Sequence, residues 1–247
     1  MAVLDRVDVD ERRLRDRNLV RDPWFVDLPA IGQLCRDGVQ LDPRVTVVVG
    51  ENGSGKSTFV EAVARRWADR LTAQVKHWSP ESAGEDSELH RALVLTGERP
   101  PPQGGCFLRA EAMHGLFGAI DAGTGEHAGA TTAFGGALNR RSHGESFLAY
   151  LESRLTERGL FVLDEPEAAL SFTSCLRLLA IIGAVVEGGS QVLLATHSPV
   201  LAAFPGATIL EFGDSGIRES AWTELELVAH WRAFLERPEM YLRYLLD

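Results

Sequence analysis

The sequence predicts an α/β protein built on a largely parallel sheet flanked by helices, with a peripheral antiparallel β element. Three short apolar runs carry this: VTVVV at 45–49, LFVLD at 160–164 and QVLLA at 191–195. None shows polar alternation, which is the pattern of strands covered on both faces. The first two are each followed by a helical pattern, at 55–70 and 168–187. Strands alternating with helices imply crossover connections and parallel neighbours. The 247 residues suffice for one domain with a sizeable core.

The elements follow in order. Residues up to about Asp22 are charged and are expected to form a partly exposed strand or arm. PWFVDLPAIGQL, punctuated by Pro23 and Pro29, reads as extended chain entering a short helix. The helix at 55–70 places Phe59, Val60, Val63 and Trp67 toward the core. Residues 79–90 are polar and read as a loop. RALVLT at 91–96 and GCFLRA at 105–110 read as strands separated by the connection GERPPPQG. A helix at 111–120 precedes a glycine-rich loop at 121–136, and another helix spans 145–158. After the strand at 191–195, ATILEF at 207–212 and IRESAW at 217–222 form a hairpin around Gly213–Gly216. An amphipathic helix at 224–236 closes the pattern. Residues 1–247 are expected to form a single domain. Its parts are a lobe at 1–110 with antiparallel strands, a short helical segment at 111–158, and the rest of the core with hairpin and helix at 159–247.

Composition narrows the function classes. Hydrophobic residues at 45% and charged residues at 24% are ordinary for a globular chain. No apolar run reaches the length that crosses a bilayer. The opening MAVLDRVDVDERRLRDR is too charged for a secretory leader, so a cytoplasmic location is expected. A net charge of −10 argues against a surface coated for nucleic acid, though not against a local patch. Cys35, Cys106 and Cys175 have neither metal spacing nor a disulfide pattern. Lys56 and Lys76 are the only lysines, which makes a lysine at a motif position informative.

Residues 50–58 read GENGSGKST and fit G-x-x-x-x-G-K-[ST] between a buried strand and a helix. Gly50, Gly53 and Gly55 permit backbone conformations in which N–H groups converge on phosphate oxygens, and the helix N-terminus adds its dipole. Asn52, Ser54 and Thr58 complete the cradle. Lys56 is placed to reach the β- and γ-phosphates, and the Ser57 hydroxyl to ligate Mg²⁺. The spacing predicts the phosphate loop of an NTPase. A partner motif, LDEPEAALS, begins at Leu163. Asp164 ends an apolar strand and is expected beside the loop, directly on the metal or one water removed from it, while Glu165 is placed to polarise an attacking water. His197, in ATHSP, ends a third strand and is expected at the γ-phosphate. Gly50, Asp164 and His197 thus converge on one ligand, as strand ends do in open α/β sheets.

One stretch invites another interpretation. RRSHGESFL at 140–148 sets Ser142 beside His143, but no strand precedes it and adjacent side chains rarely face each other, so a hydrolase nucleophile is disfavoured. The order of motifs is more informative: phosphate loop, serine–glycine turn opening a helix, acidic strand, histidine. Over residues 40–212 this set resembles the ABC-type ATPases, and especially small bacterial ATPases of AAA or ABC class. SHGE matches the family's LSGGQ signature at Ser142 and Gly144, and departs from it at His143 and Glu145. EAALS at 167–171 matches the family's D-loop, and His197 its switch histidine.

The resemblance implies ATP and Mg²⁺ as cofactors and a homodimer closed head to tail by ATP. Ser142 and Gly144 of one copy would then meet the γ-phosphate held by the other. It also places Glu111 where the family has a metal-contacting glutamine, and an adenine-stacking aromatic upstream, for which Trp24 and Phe25 are the candidates, though both suit a core. Three roles follow: an ATP-driven switch acting on an effector protein or nucleic acid, the ATPase subunit of a transporter, or a nucleotide sensor. Only about thirty residues separate Glu111 from Ser142, little for docking a membrane partner, and Glu165 favours turnover over sensing.

Overall fold

The computed structural model describes residues 2–71, 87–112, 143–153 and 157–243. The helix expected at 111–120 is described only in its first turn, a 3₁₀ turn at Ala110–Ala112. The loop at 121–136, Ser142 and most of the polar segment 79–90 lie outside the described residues.

Among the described residues, the strands are β1 (Leu4–Val9), β2 (Val39–Gln40), β3 (Val45–Gly50), β4 (Leu93–Gly97), β5 (Gly104–Arg109), β6 (Gly159–Asp164), β7 (Gln191–Ala195), β8 (Thr208–Gly213) and β9 (Gly216–Glu219). Six of them form a mixed sheet in the order β5-β6-β7-β3-β8-β9. All pairs in it are parallel except the β8–β9 hairpin. The remaining three make a small antiparallel sheet, β2-β1-β4. The larger helices are α1 (Pro29–Asp37), α2 (Lys56–Ala68), α3 (His143–Ser153), α4 (Phe172–Glu187) and α5 (Glu226–Glu236).

The apolar strands of the main sheet are covered on both sides, as their composition requires. Along β3, Val47 and Val49 belong to one core cluster with Phe147, Phe161 and Ile182, from β6, α3 and α4. Val48 belongs to the other, with Ile31, Phe59, Val63 and Trp67 from α1 and α2. Each such fully buried side chain contributes about 1.5–3 kcal/mol before entropy is counted.

Several elements differ from the sequence expectation for local reasons. The charged N-terminal stretch takes the strand rather than the arm of its two expected forms, with Leu4 and Val7 fully buried and the residues between them partly exposed, and β1 is the central strand of the small sheet. The neighbours β4 and β5 part into different sheets. In β4 burial alternates, suiting a sheet covered on one side, whereas β5 begins with three buried residues and forms the edge of the main sheet. The helix expected from 168 starts at Phe172, because Pro166–Ala169 make a 3₁₀ turn and Ser171 caps the helix by accepting from the Ser174 amide at 3.2 Å. The last strand is shorter than 217–222 and ends at Glu219.

A single buried amide fastens the two sheets together. Gln191, at the start of β7, is 1% exposed. Its Oε1 accepts from the Leu4 amide, and its Nε2 donates to the carbonyls of Leu4 and Asp42, each at 2.7 Å. Asp42 in turn shapes the entry to β3, its Oδ1 accepting from the amides of Arg44 and Val45 at 2.7 and 3.1 Å. Replacing Gln191 by leucine strips buried backbone groups of their partners, at a cost of about 2–4 kcal/mol in unfolding free energy. Urea unfolding of Gln191→Leu is the check, and a midpoint equal to wild type would refute this role.

Candidate functional site

The parallel register brings the carboxyl ends of four strands level. Arg109 pairs with Asp164, Asp164 with Ala195, and Ala195 with Val48. Beyond this row lie the loop 50–55, the turn after Asp164 and the segment after Ala195.

The loop's backbone demands glycine at its ends. Gly55 has φ 97°, and a Cβ there would press on the side chains of Leu28 and Ile31. Gly50 has φ 151°, and a Cβ there would run into the Phe212 carbonyl. Asn52 and Gly53 are exposed, Ser54, Ser57 and Thr58 half-buried. The Ser54 Oγ has no hydrogen-bond partner among the described residues. Lys56 is only 3% exposed and folds back over the loop, its Nζ donating to the Glu51 carbonyl at 3.0 Å. Burial pushes its pKa down, opposed by the charges of Glu165, Asp164, Glu167 and Glu51. A largely desolvated ammonium at a helix N-terminus forms a site for an anion.

Asp164 is 1% exposed. Its Oδ1 accepts from the Ser57 hydroxyl at 3.1 Å. Its Oδ2 has no hydrogen bond among the described residues, but Arg109 Nε stands 3.2 Å away in ionic contact. Burial raises the Asp164 pKa to about 6, although Arg109 and the Ser57 hydrogen bond pull it down. One guanidinium therefore leaves the carboxylate short of positive charge. Among the described residues no three His, Cys, Asp or Glu side chains gather into a metal cage. Mg²⁺ needs none, since it binds through one or two protein groups together with substrate phosphates and waters. Ser57 and the charge-poor Asp164 fit such an ion.

Glu165 follows in a left-handed conformation, φ 49° and ψ 48°, and is the only non-glycine residue with positive φ among those described. That costs about 1 kcal/mol or more, which the packing around the turn must offset. Its amide donates to the Ala195 carbonyl at 2.9 Å. His197 Nε2 lies 3.3 Å from Glu165 Oε1. Glu167, one turn on, accepts from the His197 amide and so ties the turn after β6 to the segment after β7.

The structure therefore brings together Gly50 through Thr58, Asp164, Glu165 and His197. Glu111 stands at the margin of this group, its side chain 78% exposed and its carboxylate 3.9 Å from Arg109 Nε, the nitrogen that also faces Asp164. Gly144 is buried at the start of α3, where a Cβ would lie 3.0 Å from the Ala169 carbonyl, so α3 rests on the turn that follows β6. Of the aromatic candidates, Phe25 is fully buried and Trp24 is 45% exposed. The residues that sequence reasoning missed are Arg109 and Glu61, while Glu167 opens the EAALS stretch without its contact to His197 being foreseen. Arg109 NH1 contacts Glu61 Oε2 at 3.4 Å, and Glu61 also holds Arg65 at 3.0 Å. Arg109 was legible only through its register with Asp164, and Glu61 only through its place one turn after Ser57.

A curated relative, the vitamin B12 import ATP-binding protein BtuD of Vibrio atlanticus, is 30% identical over 173 residues, which cover 62% of this chain and 68% of that protein. The chain belongs to the ABC-class P-loop ATPases. A family model described as "AAA domain, putative AbiEii toxin, Type IV TA system" matches residues 146–203, from α3 through the histidine segment. Among solved structures, the SMC head domain from Thermotoga maritima is 15% identical with a TM-score of 0.43, covering 74% of this chain and 92% of that one. A structure described as "an inward-facing conformation of a putative metal-chelate type ABC transporter" is 14% identical with a TM-score of 0.47, covering 76% of each chain. Nucleotide binding is a property of this ATPase family. No helix among the described residues is long and apolar enough to cross a membrane.

The electrostatics of this family's acidic strand end generate a pH prediction. Asp164 has a folded-state pKa of about 6, above the ordinary 3.8. The neutral carboxyl is therefore favoured in the fold, and the contribution it makes below pH 4 is lost as pH rises through 6. Asp164→Asn is expected to stabilise the nucleotide-free protein at pH 8 by about 1–3 kcal/mol and to change little near pH 4. Thermal melts in EDTA across that range measure it, and a difference independent of pH would contradict the burial penalty.

Proposed function

We propose that the chain is an ATPase that binds Mg·ATP on loop 50–58 and works as a homodimer closed head to tail by the nucleotide. The observation that carries this reading is the Ser57–Asp164 pair, buried, short of positive charge, and set beside the desolvated Lys56 at the ends of parallel strands. Lys56 and the amides of Gly53, Ser54 and Gly55 bind the β- and γ-phosphates. Ser57 and Asp164 would hold the Mg²⁺, which neutralises charge on the phosphate oxygens. Glu165 takes a proton from the attacking water. His197, next to the Glu165 carboxylate, orients that group and reaches toward the γ-phosphate. Glu167 holds the histidine segment in place through the His197 amide. From the second copy, Ser142 and the amide of Gly144, the latter at the start of α3, donate to the same γ-phosphate, so that one subunit alone carries an incomplete site.

Trp24 is the adenine platform in this reading. It is exposed on the turn Trp24–Asp27, and the same segment continues into Leu28 and Ile31, which pack on Gly55. Stacking of this kind is worth about 1–3 kcal/mol, so Trp24→Ala should weaken ATP binding roughly tenfold or more. The closed dimer transmits its state to an effector protein or nucleic acid in the cytoplasm. The name of the relative favours a second reading, the ATP-binding subunit of an importer. Recovery of the native protein in membranes with a multi-span partner would select it.

Two variants test the main reading. Lys56→Ala should abolish nucleotide binding in calorimetry, since the phosphates lose their chief counter-charge. Glu165→Gln keeps the shape of the side chain and removes the base, so ATP should bind but not turn over, and the ATP-bound dimer should accumulate. Light scattering that finds only monomer with ATP and this variant would defeat the head-to-tail arrangement.

A further inference from the structure

Arg109 occupies an unusual position for a cation. Register fixes it opposite Asp164 on the neighbouring strand, and its Nε lies 3.2 Å from the Asp164 oxygen that has no hydrogen bond among the described residues. Its surroundings offer two more carboxylates: Glu61 at 3.4 Å, itself shared with Arg65, and Glu111 at 3.9 Å. Glu61 is nearly buried on α2 and so held in place, whereas Glu111 is exposed and free to turn. Three acidic groups thus surround one guanidinium, and the most buried of them is the one that Ser57 also touches.

From this geometry we propose that Arg109 is an exchangeable counter-ion for Asp164, which holds the carboxylate when no divalent cation is bound and moves to Glu61 and Glu111 when one arrives with nucleotide. This rests on the assignment of a divalent cation to Ser57 and Asp164. The physical reason is like-charge repulsion: a guanidinium and a dication cannot both lean on one buried carboxylate at full strength. Without nucleotide, Arg109 competes and the cation binds weakly. With nucleotide, the phosphates bring negative charge, and Glu111 gives the displaced guanidinium a place to go. Arg109 is therefore a positioning residue that makes cation binding conditional on nucleotide. Glu111, expected from the sequence on the metal itself, acts through Arg109.

Mn²⁺ titrated into the full-length protein and followed by the electron paramagnetic resonance of the free ion reads this directly, with and without an imido analogue of ATP. Arg109→Gln should tighten Mn²⁺ binding in the absence of nucleotide by about tenfold, with a much smaller gain when the analogue is bound. Arg109→Lys, which keeps the charge, should restore wild-type weakness. Glu111→Gln, on an exposed side chain that folding does not need, should weaken Mn²⁺ binding in the analogue complex by about threefold or more. Unchanged or weaker Mn²⁺ binding by Arg109→Gln without nucleotide overturns the proposal. If that variant does not fold, unchanged binding by Glu111→Gln overturns it. Metal-free binding of a fluorescent ribose-labelled ATP separates the two levels. Loss of that binding in Lys56→Ala together with an unresponsive Arg109→Gln removes only the Arg109 role. Retained binding in Lys56→Ala removes the site assignment and this inference with it.

Discussion

The parallel register of β5, β6, β7 and β3 is the constraint from which the remaining features follow. It sets Arg109, Asp164, Ala195 and Val48 in one row, so that every chemically interesting side chain begins at the same height above the sheet. A slip of one residue in β6 would turn Asp164 to the opposite face and send Leu163 to the phosphate loop. The apolar residues of the strands guard against this. Leu163 and Phe161 fill one core, while Leu160 and Val162 fill the other, so a slip would exchange the packing of both cores at once. Side-chain packing deep in the two cores therefore sets the geometry at the strand ends.

The site is assembled against local preference. Asp164 is buried with too little positive charge, Lys56 is nearly inaccessible, and Glu165 adopts a left-handed backbone that glycine would accept more readily. Each lowers the stability of the empty protein. Asp164 ends β6, Glu165 follows it, and Lys56 opens α2 just beyond the loop after β3, so all three lie at the carboxyl edge of a fully packed sheet, which is where a fold tolerates such costs. The same groups are those for which a polyanion and a dication would supply the missing partners, so ligand binding and stability are linked through them.

Much of this was legible in the sequence because it depends on local pattern. Unbroken runs of Val, Leu and Ile announce doubly covered strands, and GENGSGKST announces its own turn, because three glycines around one lysine serve few other purposes. The segments that misled did so through long-range pairing. β1 carries three charged residues, Asp5, Arg6 and Asp8, with Asp10 just beyond it, and suits a solvated arm as well as a strand, yet Leu4 and Val7 point inward and β4 supplies its partner from more than eighty residues away. No local pattern reveals that β4 and β5 join different sheets. Arg109 and Glu61 were invisible for the same reason: a charged residue acquires its meaning from the neighbour that folding places beside it, and that neighbour lies about fifty residues off in each case.

The Gln191 amide has a mechanical consequence as well. It binds the first residue of β7 to Leu4 and Asp42, while His197 lies two residues past the other end of the same strand. An extended strand of five residues is a stiff rod about 17 Å long. With its near end bolted to a second sheet and its flanks hydrogen-bonded to β3 and β6, the rod has no freedom to slide or tilt. Compliance is confined to the few residues after Ala195, where the Glu167 carboxylate grips the His197 amide. The histidine segment is thus anchored on one side by a fixed strand and on the other by one carboxylate on one amide, and weakening that one contact would loosen it without disturbing the sheet.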